Sequence, residues 1–279
     1  MNNKEYGHYT TLKGMMGIVR LREIWATNIK YLNDEHEFQH ALDHARKIIK
    51  NAKPQSDPLF DNFILDLQKE LNTMNSVETE QIFVCSFSEK TDLLSQWRGY
   101  CPDNNGYCLI FDIAEIYNQA KDKYGDVHIY DCIYDDKEKE QEIGYLLNDC
   151  WNRYRKMNED ERKKSNIIYY SMKEFALLAS HFKDKSFSEE NERRIVINID
   201  LPEPGTLKFR DGNSSIIPYI CLAADIKTIK KIIIGPTMNK LLSEKALYLF
   251  LSEELGIPTV PFSDIRIDHS KTPYRSWRL

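Results

Sequence analysis

Four short segments of this 279-residue chain hold side chains whose types and spacing could do chemistry. The first is Gly7-His8-Tyr9-Thr10. In an extended strand His8 and Thr10 share one face and Tyr9 takes the other, so an imidazole and a hydroxyl would meet a ligand together. The second, Tyr31-Leu32-Asn33-Asp34-Glu35-His36-Glu37, offers Tyr31 as a ring and Asn33 and Asp34 as polar contacts, though turn formation and helix capping account for the last two equally well. His36 and its neighbouring carboxylates occupy consecutive positions at a helix start and do not converge on one ion, which argues against a metal. The third, Ser95-Gln96-Trp97-Arg98-Gly99-Tyr100, gathers an amide, an indole, a guanidinium and a phenol, a set suited to holding a phosphate or carboxylate beside a ring. The fourth is Glu189-Glu190-Asn191-Glu192-Arg193-Arg194, leading into Ile195-Val196-Ile197. There alternation sets the isoleucines on one face and Glu190, Glu192 and Arg194 on the other, with a carboxylate at the mouth of a strand.

The elements that must position these groups follow from hydrophobic period. A strand is expected over 6–10, then a helix carrying Leu12, Met15, Met16 and Val19, and a second strand over 24–27. Asp34 and Glu37 have capping-box spacing ahead of the stripe Phe38, Leu42, Ala45 and Ile49. Pro54 and Pro58 interrupt the period, and Phe60, Ile64, Leu67 and Leu71 resume it, which predicts a helical hairpin. Strands are expected over 82–88, 107–112 and 127–133, then helices with Ile143, Leu147, Cys150 and Tyr154 and with Ile168, Met172, Phe175, Ala179 and Phe182 on their faces. Further strands over 194–199, 207–210, 216–222 and 231–234 surround the turn residues Asp211, Gly212 and Asn213 and precede Gly235-Pro236. A helix over 240–255 stops at Gly256, and 259–263 closes the chain as a strand. Elements segregated in this way predict an α+β fold with a mixed or split sheet flanked by helices. One domain over 1–279 is expected, with helical insertions at about 34–75 and 137–185.

Composition narrows the class. With 42% hydrophobic and 29% charged residues the chain is ordinary globular material, and its formal charge of -5 argues against broad counterion-release binding to nucleic acid. No apolar run approaches the ~20 residues that span a bilayer, and the first ten residues lack a secretory core, so a cytoplasmic protein without membrane partners is expected. Six cysteines without Cys-x-x-Cys spacing read as free core thiols. Nucleophile elbows, phosphate-binding glycine loops and dinucleotide fingerprints are absent from the sequence.

Taken together, the segments resemble the bacterial family called Domain of Unknown Function 2971. The resemblance rests on His8-Tyr9-Thr10, Glu23-Ile24-Trp25-Ala26-Thr27, Tyr31-Leu32-Asn33-Asp34 with Glu37-Phe38, Leu94-Ser95-Gln96-Trp97-Arg98-Gly99-Tyr100, Glu192-Arg193-Arg194, Ile234-Gly235-Pro236 and Pro273-Tyr274-Arg275. Arg193 stands where that family carries an aromatic residue. A His-x-Thr strand near the start, an aromatic-bearing second strand and a late Glu at a strand start are also similar to the layout of ADP-ribosyltransferases. That resemblance implies NAD as substrate without a metal, His8 and Thr10 on its ribose and amide groups, Tyr31 stacked on nicotinamide, and Glu192 orienting the ribose. Glu190 has the place of the first acid in a Glu-x-Glu pair.

The expectation is therefore an NAD-cleaving enzyme, an ADP-ribosyltransferase or NAD glycohydrolase acting as a toxin or antiphage-defence effector. Its catalytic residues would be Glu192 and His8, and its binding residues Tyr9, Thr10, Tyr31, Asn33, Asp34, Gln96, Trp97, Arg98, Tyr100, Glu190 and Arg194. The partner would be a nucleotide-like small molecule, with a protein or nucleic acid as target. Arg98 or Arg194 would hold the pyrophosphate, and Tyr31 or Trp97 would stack on the base. Two other readings stay open. One is a non-catalytic module that binds a nucleotide or partner, and the other is a metal-independent nuclease or phosphotransferase using His8 and Glu192 as base and acid.

Overall fold

The computed structural model describes residues 4–32, 35–51, 57–73, 82–101, 105–164, 166–199, 202–212, 215–256 and 265–273. Within them the chain runs β1 (Tyr6–Thr11), α1 (Leu12–Leu21), β2 (Glu23–Asn28), α2 (Glu35–Asn51), α3 (Pro58–Thr73), β3 (Ile82–Ser88) and α4 (Leu94–Tyr100). It continues through β4 (Gly106–Phe111), α5 (Ile113–Tyr124), β5 (Val127–Asp131), α6 (Asp136–Lys156), α7 (Glu159–Lys164), α8 (Ile167–Ala179) and β6 (Glu192–Asn198). The last elements are β7 (Lys208–Asp211), β8 (Ile216–Ala223), β9 (Ile229–Ile234), α9 (Lys240–Leu255) and β10 (Arg266–His269). The fold is α+β, built on one mixed, open sheet in which, among the described strands, only the β10–β9 pair is parallel.

Strand β3 organises the sheet. One of its edges pairs along its whole length with β6, from Ile82 opposite Asn198 to Ser88 opposite Glu192, and β5 lies outside β6. Its other edge serves two strands. β2 pairs with it at Val84 and Phe83, and β1 at Ser88 alone, opposite Gly7. From there β1 leads through β4 to β9 and β10, while β2 leads to β8 and β7. The sheet is thus forked, and among the described residues the stretch of β3 between the two junctions has no ladder partner on that edge.

Alternation along β3 separates two cores. Phe83, Cys85 and Phe87 join Met15 and Val19 of α1, Ile116 of α5 and Leu251 of α9 on one face. Ile82 and Val84 join Ile49 of α2, Phe63 and Leu67 of α3, Ile143 of α6 and Phe175 of α8 on the other. That second face also carries a small cluster of Tyr9, Trp97, Cys101, Cys108, Ile110 and Ile233, where α4 packs over β1, β4 and β9. All six cysteines are buried free thiols. Among the described residues no helix is long and apolar enough to cross a membrane.

Most expected elements are found. Helix α5 is an addition: Asp112 caps it by accepting from Glu115 N at 3.4 Å, and Gly125 ends it at φ 78°. Its apolar positions Ile113, Ile116 and Ala120 are too few to stand out between two β runs. Segment 95–100, to which hydrophobic period assigned no element, is the short helix α4. The strand expected over 259–263 lies outside the described residues, and the terminal strand they contain is β10.

Where β1 crosses toward β3 there is no room for a side chain. A Cβ on Gly7 would overlap Cys108 Sγ and press on Ile110 Cδ1 at 3.1 Å and Thr91 Cγ2 at 3.2 Å. Gly7→Ala is therefore expected to destabilise the protein by about 1–3 kcal/mol through overpacking. Chemical denaturation is the measurement. Adding Cys108→Ala removes the first clash, so the double variant should lose less than the sum of the two single losses.

Candidate functional site

The fork creates a cavity of about 50 Å³ lined by Gly7, His8, Tyr9, Ser86, Phe87, Ser88, Gln96, Tyr100, Glu190 and Glu192. A space of this size admits a few water molecules or a group of a few heavy atoms. His8 reaches the unpaired stretch of β3, where its Nδ1 lies 3.0 Å from the Ser86 carbonyl oxygen. A carbonyl only accepts, so Nδ1 carries the proton and Nε2 is the acceptor of the neutral ring. Burial lowers the His8 pKa, against the opposing pull of the Ser86 carbonyl. The imidazole therefore faces the cavity uncharged at neutral pH.

Across the cavity stands a compact cluster of charges. Glu192, 6% exposed, receives Arg194 Nε at 2.6 Å on Oε1 and the Lys183 ammonium on Oε2. Lys183 also donates to Glu190 at 2.6 Å and lies 5.1 Å from the centre of the Phe187 ring. Arg194 donates onward to the Ser180 carbonyl at 2.7 Å. Burial alone would raise the Glu192 pKa, but the two cations outweigh it and hold the carboxyl down at about 2. The same attraction more than offsets the burial of Lys183 and raises its pKa. Two carboxylates and two cations leave this cluster neutral as a whole.

The turn that delivers Glu192 is fixed just as firmly. Asn191 adopts left-handed backbone at φ 42°, which its short amide side chain tolerates. Ser88 Oγ donates to the Glu190 carbonyl at 2.6 Å, Glu89 N to the Asn191 carbonyl at 3.2 Å, and Glu192 N to the Tyr134 hydroxyl at 2.8 Å. Tyr9 is occupied too: its hydroxyl donates to the Lys90 carbonyl at 2.6 Å and accepts from Leu93 N at 2.9 Å.

Three polar groups on the cavity wall are left over. Gln96 is 7% exposed, yet among the described residues its amide has no hydrogen-bond partner, and neither does Ser86 Oγ or His8 Nε2. An amide on a cavity wall with its hydrogen-bonding capacity still open can pair with water or with a guest.

Of the residues anticipated from sequence, His8, Tyr9, Gln96, Tyr100, Glu190 and Glu192 meet in this cavity. Thr10 does not line it; its hydroxyl sits against Gly14 of α1, where a Cβ would overlap it. Tyr31 and Arg98 are exposed and lie outside the lining. Trp97 is fully buried, edge-on to Tyr9 at 4.8 Å, with no ring face open to a guest. Arg194 is 3% exposed and engaged inside the protein, so it does not offer its guanidinium to a pyrophosphate. Asn33 and Asp34 lie outside the described residues. Sequence reasoning missed Lys183, Ser86, Ser88 and Tyr134. The Glu190-x-Glu192 pair, facing inward from a strand start, is the one signal that a buried cation had to accompany it. Among the described residues no cluster of three or more His, Cys, Asp or Glu side chains could hold a metal ion.

A family model described as a protein of unknown function, DUF2971, matches residues 96–195. The match opens on Gln96 in α4 and closes on Ile195 in β6, so it contains the amide and the acid cluster, while β1 and His8 precede it. No curated protein and no solved structure matches the chain.

The ion cluster makes a stability prediction. Glu192→Gln would leave two buried cations short of a carboxylate and is expected to destabilise the fold by about 3–5 kcal/mol. Because the folded pKa of Glu192 lies below its ordinary value, its contribution is complete above about pH 4.5 and fades as pH falls toward 2. Equilibrium unfolding at a series of pH values should give a slope in that window for the parent that is shallower in Glu192→Gln.

Proposed function

We propose, starting from the DUF2971 match over 96–195, that this protein is an NAD-cleaving enzyme whose reaction takes place at the cavity between β1, β3, β6 and α4. The single observation that carries the reading is that His8 and Glu192, 184 positions apart in sequence, line one cavity, the acid ionised and the base neutral. Among the described residues the lining contains no Lys or Arg, which favours a neutral hydroxyl- or amide-bearing group over a phosphate. A ribose hydroxyl or a carboxamide fits the available volume, and the rest of the dinucleotide would lie outside it.

The chemistry follows from those groups. As the bond between ribose C1′ and the nicotinamide nitrogen breaks, its electron pair leaves with nicotinamide and positive charge develops on the ribose. Glu192, fixed in place before the reaction, stabilises that charge and accepts from a ribose hydroxyl through its remaining lone pairs. Water, or a nucleophile on a macromolecular target, adds to C1′ and gives its proton to His8 Nε2. A cytoplasmic chain would draw on the cellular NAD pool, which is how a toxin or defence effector of this kind would act.

A second reading has its own support. Both oxygens of Glu192 already accept charge-assisted bonds, which suits a structural acid beneath a non-catalytic binding pocket.

Incubation with NAD, with nicotinamide release followed over time, separates the two. Because Glu192→Gln also weakens the fold, the informative variants are His8→Ala and Gln96→Ala, each checked for an unchanged melting temperature. Catalysis predicts release by the parent and a loss of about 10²-fold or more in His8→Ala. NAD-dependent thermal stabilisation without release would establish the binding module, and neither effect, with protein or nucleic-acid targets supplied, would end the NAD reading. The pKa of His8 lies below the ordinary histidine value of about 6.5, so activity should hold through that pH and decline only on further acidification.

A further inference from the structure

Helix α4 has seven residues, too few to hold its place by its own hydrogen bonds, yet it supplies Gln96 and Tyr100 to the cavity. What holds it is Asp92. Its Oδ1 accepts from Trp97 Nε1 at 2.7 Å, from Ser270 Oγ at 2.5 Å and from Thr272 Oγ1 at 3.1 Å, and its Oδ2 accepts from Lys271 N at 2.7 Å. Thr272 Oγ1 also reaches the Asp92 carbonyl at 3.2 Å, and Thr272 N donates to Ser270 Oγ at 3.1 Å. One carboxylate therefore joins α4 to a segment some 180 residues later in sequence.

The far end of this connection is anchored in the sheet. β10 runs parallel to β9, and Ser270 N donates to the Ile234 carbonyl at 2.8 Å. Trp97 then lies against Gly235, where a Cβ would approach its ring to 3.0 Å, while its other neighbour Tyr9 belongs to β1 and lines the cavity. A continuous run of contacts thus leads from β10 through Asp92 and Trp97 to Gln96 and Tyr9.

We infer that segment 266–272 is a clasp that sets the position of α4, with Asp92 as the positioning residue, so that ligand occupancy of the cavity and closure of the clasp are thermodynamically linked. Burial of Asp92 opposes its ionisation, but the hydrogen bonds from Ser270, Lys271, Trp97 and Thr272 prevail and keep it a carboxylate, the form that can serve four donors at once. Linkage between two sites is reciprocal: a ligand that needs α4 in place must tighten the clasp by the same factor by which the clasp tightens the ligand.

The coupling to ligand rests on the cavity being the binding site, whereas the clasp itself does not, and amide hydrogen exchange on the full chain tests them separately. In Asp92→Asn and in Thr272→Val, exchange at Trp97 and Cys101 should accelerate, by about 10–100-fold for Asp92→Asn, where bonds to a charge are lost. Exchange at Cys108, Leu109 and Ile110 in β4 should change far less, because a clasp opens α4 and not the sheet. With NAD as the probe, the parent should in turn show slower exchange at Lys271 and Thr272, and the apparent affinity for NAD should fall in Thr272→Val. Equal acceleration in α4 and β4, or none in α4, overturns the clasp. Selective opening of α4 with no effect of NAD on Lys271 and Thr272 overturns the linkage; if the parent also fails to bind NAD, the NAD reading falls while the clasp stands.

Discussion

A β-strand has two edges, and β3 divides one of them between two neighbours that travel in different directions. Backbone groups along Cys85–Phe87 on that edge cannot be met by a ladder, and buried backbone groups do not go unmet without cost. The imidazole of His8 meets one of them at the Ser86 carbonyl, which fixes the ring, its tautomer and the acceptor nitrogen that remains. The cavity is what the parting strands leave behind, so its position is set by topology and its lining by whichever residues flank the junction.

The charge cluster solves a second problem created by the same junction. Ser88 and Glu192 are paired at the end of β3, where β1 also joins, and three strands converging on one point leave little solvent to screen a carboxylate. A lone buried acid would take up a proton. Lys183, carried in from the end of α8, and Arg194, two residues along β6, keep Glu192 ionised without leaving net charge in the interior. Replacing all four groups by apolar residues could give an equally stable protein. Retaining ionised groups beside a polar cavity is therefore a choice that stability does not require.

How much of this was legible in the sequence depends on range. Period and capping located the long helices α2, α3, α6, α8 and α9 and most strands, because each signal lies within a dozen residues. Helix α5 was missed since Ile113, Ile116 and Ala120 make too thin a stripe, and α4 because a single apolar anchor, Trp97 packed against Tyr9 and Gly235, makes no stripe at all. The convergence of His8, Gln96 and Glu192 came from a resemblance carried by short motifs, and no local rule supplies it. The reverse holds for Arg194 and Trp97, whose residue types suit ligand contacts but whose side chains turn inward, to Glu192 two residues away and the Ser180 carbonyl for one and to Asp92 five residues away for the other, a direction that residue type does not reveal. Lys183 carried no signal of its own: a lysine between Phe182 and Asp184 reads as surface until the two acids are placed around it.

Gln96 and Trp97 are adjacent on one short helix, and the contrast between them bears most directly on function. The indole nitrogen of Trp97 is satisfied by Asp92, so this helix is placed well enough to pair a buried donor when folding alone requires it. Among the described residues the Gln96 amide has no such partner, and neither has the hydroxyl of Ser86 or the second nitrogen of His8. Folding gains nothing from gathering open polar groups in one place. Water can meet such groups in the ligand-free protein, and a guest with matching donors and acceptors can replace it at little enthalpic loss. Open polar groups that line one cavity are placed where their polarity can serve a guest.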